Sequence, residues 1–530
     1  MNLLIVSSEN GSLTGGKVGG IGDVIRDIPC EIARQEATVH VITPSYGFLH
    51  RHEGARWVQS VTVDFYAYPH QVELYEVPAK RPCPGVTHWI LDHPLFVNYD
   101  GARNIYRIYT DDPPDRPFAG DATKFALFSL AVAEVIRTQV FGPPDCLHMH
   151  DWHAAFLLIL RRFHPTCDFL QHIRTVYTIH NLALQGIRPF KNNVSSLEAW
   201  YPHMAYQENE LADPRWPDCL NLMAVGIRLA DAVHTVSPSY AEEILLPSDK
   251  PRYYGGEGLE NDLKTASASE RFFGILNGCT YPPHYQQPAE HVSLFAILKK
   301  TALEWSASSG KMVPARHFLA YARLTELELK KQKPPFMLTS ITRVVEQKLY
   351  LMQAGGSNGI SGLENILNLL ENQGIYILLG TGDEQYEEFL TRMSARHDHF
   401  IFLNGYSEAC ADALYAGGDM FLMPSSFEPC GISQMLAMRA GQPCLVHHIG
   451  GLKDTVQEES NGFAFRGDSV EMQVDAMCQT LENAIDIKRH RPKQWLKIRR
   501  NAADARFSWE KTVQLYMEKL YQSSGSGRRL

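Results

Sequence analysis

Strand-like apolar runs and helix-periodic segments alternate twice along this chain. That double alternation restricts it to folds made of parallel sheets covered by helices. The first series opens with an apolar run at 3–7 and a glycine-rich stretch. A helical pattern follows at 23–34, with Val24, Ile28 and Ile32 on one face, then an alternating strand at 38–43. Further strands are expected at 61–66, 71–77, 87–91, 146–149, 175–178 and 232–236, and helices at 122–139, 152–162, 219–229 and 238–245. The polar, glycine-rich stretch 247–271 reads as a surface excursion, and 281–333 carries helical patterns without a strand. A second series then begins, with strands at 336–340, 375–379, 400–403, 420–423 and 443–446. Its helices fall at 363–371, 385–395, 407–416 and 433–440, and a tail helix at 509–521 precedes a loose polar end at 523–529.

The fold class read from this pattern is α/β, with two doubly wound Rossmann-like domains facing a cleft. The division expected is 1–280 for the first domain, 281–335 for a helical connection, 336–506 for the second domain, and 507–530 for a final helix and tail. A chain of 530 residues is too long for one core and suits two such domains.

The net charge of −9 excludes a global basic footprint for nucleic acid, so any anion site must be built locally from a few cations and amides. The ten cysteines are scattered without a C-x-x-C pair, as in core residues of a reducing compartment. The start, Met1-Asn-Leu-Leu-Ile-Val, lacks the basic region and length of a signal peptide, and no run of eighteen apolar residues appears. A cytoplasmic enzyme without a membrane span is expected.

Five segments carry chemistry. In Gly15-Gly-Lys-Val-Gly-Gly-Ile-Gly-Asp23, glycines after a strand let backbone approach a ligand, and the next helix offers amides and a positive dipole end. Lys17 adds a full charge, which suits a diphosphate. The stretch 11–17 also begins like a P-loop, but Val18 stands where a magnesium-binding hydroxyl is needed; a purely structural turn is the other alternative. His148-Met-His-Asp-Trp-His153 groups three histidines and an aspartate, yet the common zinc spacings do not match, and a strand-end loop lining a polar cleft is the better reading. Asp151 there could face a sugar. In Tyr177-Thr-Ile-His-Asn-Leu-Ala-Leu-Gln-Gly186, His180 and Asn181 end a strand, where a structural histidine competes with a site.

Arg343 and Lys348 follow the first strand of the second series, where an anionic leaving group would be held, although a solvated loop would read the same way. Ser426-Phe-Glu-Pro-Cys-Gly-Ile-Ser-Gln434 sets Glu428 before a turn and a helix start, with Cys430, Gly431 and Ile432 beside it. That carboxylate could cap the helix or hold sugar hydroxyls.

In this order the motifs resemble the bacterial glycogen synthase and plant starch synthase family over nearly the whole chain. The segments that carry the likeness are Lys17-Val-Gly-Gly-Ile-Gly-Asp-Val24, His150-Asp-Trp-His153, 180–186, 235–241, Gly274-Ile-Leu-Asn-Gly278, 343–348, 427–434 and 508–516. The resemblance implies a GT-B fold and retaining transfer of glucose from ADP-glucose to the end of an α-1,4-glucan, with no cofactor and no metal. UDP-glucose is the alternative donor. The resemblance further implies that Lys17, Gly19 and Gly20 line the donor and acceptor side of the cleft, with Asp23 and Asn277 nearby. Asp151 and His180 would contact glucose, Arg343 and Lys348 would hold the diphosphate, and Glu428 would contact sugar hydroxyls beside the amides after Cys430. Ala224 stands where the family has lysine, Cys279-Thr280 where it ends N-G-x-D, and Leu349 where it has glycine. Ala224 and Cys279 are expected near the site. Two alternatives remain: the same fold with another donor or acceptor, and a silent carbohydrate-binding relative.

Overall fold

The computed structural model describes residues 1–101, 105–281, 291–308, 314–330 and 333–522. It divides into two compact units: Met1–Ser248 with Gly255–Gly278 and Ser508–Leu530, and Asp249–Tyr254 with Cys279–Phe507. The polar end expected at 523–529 lies outside the described residues.

The first unit is built on a nine-stranded sheet. In spatial order its strands are Phe272–Gly274, Ala232–Thr235, Arg174–Ile179, Cys146–His150, Asn2–Val6, Thr38–Pro44, Val86–Asp92, Tyr68–Glu76 and Arg56–Phe65. The first seven run parallel and the last two are antiparallel additions. Side-chain alternation sorts the opening strand between two cores. Leu4 and Val6 enter the large one, while Leu3 and Ile5 pack with Val24, Ile28, Trp509 and Val513. The chain moves outward from Asn2–Val6 in one direction and returns to start again at Cys146–His150 on its other side. The strand order therefore switches between these two strands, and Ser7 and Asp151 begin the loops at that point.

The final helix Trp509–Lys519 is bound into this unit by specific polar contacts. Trp509 Nε1 donates to Asp27 at 3.2 Å, Thr512 Oγ1 to the Leu276 carbonyl at 2.8 Å, and Arg174 Nε to the Leu520 carbonyl at 2.7 Å.

The second unit carries six parallel strands in the order Phe400–Asn404, Ile375–Gly380, Met337–Ile341, Met420–Met423, Cys444–His447, Gly462–Phe465. Its switch point lies between Met337–Ile341 and Met420–Met423. Leu338 faces one core, and Met337 and Ile341 face the other.

Several sequence expectations are corrected. The helix expected at 219–229 begins as the strand Cys219–Asn221, paired antiparallel with Ile187–Pro189; Asn221 then caps the helix Leu222–Leu229 through the Ala224 amide at 3.0 Å. The helix expected at 152–162 is two short ones, Asp151–Ala154 and Phe156–Phe163. The excursion at 247–271 contains the helix Glu260–Ala268, which buries Leu263 and Ala266. Within 281–335, helices His291–Ser308 and Ala315–Lys330 put Leu294, Phe295, Leu298 and Leu324 into the core of the second unit. Unforeseen elements are Glu346–Gln353, Gly450–Thr455, Gly462–Phe465, Val470–His490 and Pro492–Asp504.

Helix Leu222–Leu229 approaches its sheet through Gly226, where an added Cβ would lie 2.1 Å from the ring of fully buried Tyr177. Gly226→Ala gains about 1 kcal/mol of helix propensity but must displace that ring, at a cost of roughly 1–3 kcal/mol. A lower urea midpoint is expected; a midpoint equal to the parent's would show that Tyr177 can yield.

Candidate active site

At the switch point of the first sheet the chain turns sharply after each strand. Ser7-Glu9 leads into a loop that folds back on itself: the Asn10 amide donates to the Gly16 carbonyl at 2.6 Å, and the Gly11 amide to the Gly22 carbonyl at 3.2 Å. Glycine is required at 11 because a Cβ there would come within 2.2 Å of the Gly22 oxygen. Three amides at this helix start are already engaged. Oε2 of buried Glu9 accepts from Val18 N at 2.8 Å, Gly19 N at 2.8 Å and Gly22 N at 3.1 Å. Lys17 is likewise engaged, its Nζ 2.6 Å from Asp23, which also takes Arg26 at 2.9 Å. Three of the amides in the stretch 15–23 are thus taken from within the chain. An internal carboxylate fills the nest, because a buried set of converging amides is costly to leave unmatched. Gly20 differs: space is open in front of it, with no atom within 4 Å of an added Cβ.

Across the switch point, Asp151 sits at a φ of +55°, a left-handed conformation that costs a non-glycine residue about 1 kcal/mol or more. The turn aims its carboxylate at the next strand end, where Oδ1 accepts from the His180 amide at 2.7 Å. Burial pushes the Asp151 carboxyl up to about 7 against the opposing effect of the His180 and Asn181 amides. His150 Nδ1 and His180 Nε2 lie 2.8 Å apart with stacked rings. Burial lowers His180 to about 3 and holds His150 well below the usual histidine range, so both are neutral at pH 7.

His148 stacks on His150 with ring centroids 4.4 Å apart, and is bonded to Thr178 at 2.7 Å and to Tyr521 beyond the final helix at 2.8 Å. Among the described residues no group of three or more His, Cys, Asp or Glu is arranged to hold a metal ion. Asn181 accepts from the Ala183 amide at 3.1 Å. Asn277 is buried, and its Oδ1 lacks a partner among the described residues.

The second unit gathers its charges at its own switch point. Thr342-Arg343 follows one central strand and Pro424-Ser425 the other. Lys348, on the first turn of Glu346–Gln353, forms an ion pair with Glu428, and Ser425 Oγ donates to the same carboxylate at 3.0 Å. Gln347 fastens the two loops, donating to the Phe427 carbonyl at 2.9 Å and accepting from the Ser426 amide at 2.9 Å. Burial lowers the Lys348 pKa, Glu428 opposes that, and the nearby Arg343 guanidinium adds to the lowering. Arg343 itself is exposed and makes no ion pair among the described residues. Gly431, at a φ of +76°, turns the chain from buried Cys430 to Ile432, which caps the helix Ser433–Arg439. Gly451 packs on this turn; a Cβ there would be 2.4 Å from Cys430 Cα.

Three of the substituted family positions are buried. Ala224 and Leu349 are fully buried, and Cys279 is 2% exposed with its amide bonded to the Phe507 carbonyl at 2.7 Å. A lysine at 224 would have to leave a core. Sequence reasoning missed Glu9, Tyr109 and Ser425. The carboxylate of Glu9, directly after a buried strand and ahead of a glycine loop, was the available signal.

Two Rossmann-like sheets, each with charged strand-end loops, define a glycosyltransferase of GT-B fold. The structure superposes on the catalytic domain of starch synthase IV from Arabidopsis thaliana, solved bound to ADP and acarbose, with a TM-score of 0.72 at 24% identity over 98% of both chains. The starch synthase catalytic domain family matches residues 2–265, and glycosyl transferases group 1 matches 358–497. Glycogen synthases are similar over their whole length: that of Streptococcus uberis is 33% identical, covering 98% of this chain and 99% of its own, and that of Desulfitobacterium hafniense 31%, covering 96% and 97%. The chain belongs to the glycogen and starch synthase family and is a glucosyltransferase of that type. No helix among the described residues is long and apolar enough to cross a membrane.

The Asp151 carboxyl gives a pH test. Its folded pKa of about 7 lies above the ordinary carboxylate value, so between about pH 4 and 7 the folded state holds a proton the unfolded state has lost. Stability from this group is present at low pH and is lost as pH rises through about 7. Asp151→Asn keeps the acceptor oxygen and suits the left-handed turn. Its urea midpoint should gain on the parent's as pH rises from about 5 to 8. Parallel curves would mean that Asp151 does not titrate there.

Proposed function

We propose that this glucosyltransferase takes glucose from ADP-glucose and adds it, with retention, to the non-reducing end of an α-1,4-glucan. The observation that carries the reading is the charge arrangement at the second switch point. There an exposed arginine and a lysine paired to a carboxylate stand at the strand ends where doubly wound sheets bind ligands. In this reading Arg343 and Lys348 hold the diphosphate, and Glu428, already fixed by Lys348 and Ser425, receives sugar hydroxyls near Cys430, Gly431 and Ile432. Asp151 and His180 meet the glucose, with Asn181 beside them. Lys17, Gly19, Gly20, Asp23 and Asn277 line the donor and acceptor side. The ADP and acarbose carried by the Arabidopsis starch synthase support a nucleotide and a glucan-like ligand here as well. The ten cysteines, none of them in a disulfide, fit a cytoplasmic setting.

The mechanism follows from charge. Breaking the anomeric bond leaves positive charge on the sugar and negative charge on the departing diphosphate. Fixed cations stabilise the second without reorganising. Glu428 supplies oxygens that stabilise an oxocarbenium-like sugar. The leaving phosphate oxygen accepts the proton of the incoming hydroxyl on the face it vacates, which retains configuration. Neutral His180 offers the sugar a hydrogen bond without competing for that proton.

The test is nucleotide release from ADP-glucose and from UDP-glucose, each with and without glycogen. Glycogen-dependent ADP release is expected to dominate. Arg343→Ala should cut turnover by roughly a hundred- to a thousand-fold, the usual loss on removing one donor to a transition-state anion, with an unchanged melting temperature. Near-parental turnover in that variant removes Arg343 from the diphosphate. Release from neither donor, with ADP still bound, would favour a silent relative.

A further inference from the structure

We propose that Glu9 is a positioning residue of the transferase, an internal anion that holds the Lys17–Gly20 segment in its working shape. The proposal rests on the reading above that this segment faces the substrates. Glu9 follows the first strand of the switch point and is 2% exposed. Its Oε2 takes three amides, from Val18, Gly19 and Gly22, at 2.8 to 3.1 Å. Its Oε1 accepts from the Tyr109 hydroxyl at 2.9 Å, and that hydroxyl lies 3.0 Å from Ser8 Oγ. Four hydrogen bonds thus fix both oxygens. Burial and the neighbouring carboxylate keep the Tyr109 phenol well above its usual pKa, so it stays a donor.

The contacts run to the segment from every side. The strand end supplies the carboxylate, and the helix Gly20–Ala33 supplies its positive end. Tyr109, distant in sequence, closes the remaining oxygen. The glycines complete the fit. A Cβ on Gly22 would lie 2.9 Å from Glu9 Oε2 and 2.7 Å from Lys17 Cγ, so the loop closes on the carboxylate there only without a side chain. Lys17 and Gly20 therefore reach outward from an anchored base: Gly20 faces open space, and Lys17 is held toward Asp23. Three amides of the nest are occupied from within, which leaves Lys17 and the backbone at Gly20 facing outward.

Chemical rescue tests this in the full-length protein. Glu9→Ala vacates the nest; acetate is the probe, against the bulky anion 2-(N-morpholino)ethanesulfonate at equal ionic strength. Acetate should raise the melting temperature of Glu9→Ala saturably and leave the parent unmoved. It should also recover a large part of a kcat that has fallen on the order of a hundredfold, the usual effect of a misplaced site, while KM for the donor changes less. Lys17→Ala should show no acetate response. If Glu9→Ala does not fold, Glu9→Gln is the second variant: it retains acceptor oxygen and should fold with kcat several-fold down. Parental kcat in either variant, or a folded Glu9→Ala whose melting temperature and rate ignore acetate, overturns the proposal. A parent that transfers no glucose would instead defeat the proposed function, while the melting-temperature response would still report whether a carboxylate fills the nest.

Discussion

A parallel sheet that reverses its strand order leaves, at the reversal, two strand ends whose following loops depart in opposite directions. No crossover covers the gap between them. Both sheets of this protein have one such reversal, and the charged side chains described above collect at the strand ends beside it. Glu9 and Asp151 begin the loops on either side of the first. Arg343 with Lys348, and Ser425 with Glu428, do so at the second. Topology thereby selects where charged chemistry can gather.

Charge placed in such a gap is expensive unless matched, and this chain matches it internally. Lys348 and Glu428 form a pair in which each would otherwise be a largely buried lone ion, and leaving one alone would cost several kcal/mol. The glycine-rich loop is matched by Glu9 rather than by solvent or phosphate. Asp151 is satisfied by backbone amides and still resists ionisation. Pairing restricts the rotamers of these side chains as well as offsetting their burial, and fixed charges are what electrostatic stabilisation of a transition state requires.

Much of the architecture was legible in sequence because buried parallel strands are continuous apolar runs: Met420–Met423 was placed without error, and Cys146–His150 and Ile375–Gly380 to within a residue. Glycogen synthase motifs then supplied the family. What failed did so for identifiable reasons. Helix Val470–His490 has the proper spacing in Val474, Met477, Leu481 and Ala484, but its many charges disguised it. The strand Cys219–Asn221 is three residues long and shares the composition of the helix it introduces. At the site, the residues proposed for chemistry could be named from motifs, but their partners could not. Nothing local says that Glu9 folds onto amides nine to thirteen residues ahead, or that Tyr109 reaches it across a hundred residues.

The proposed function has Arg343 and Lys348 hold the anionic leaving group at the second switch point, while Glu9 keeps three amides of the glycine-rich helix start. A crystal structure of the full chain with ADP tests this most directly. The diphosphate should lie within hydrogen-bonding distance of Arg343 and Lys348, with Glu9 still bonded to the amides of Val18, Gly19 and Gly22. A diphosphate seated on those three amides, with Glu9 displaced, would contradict it.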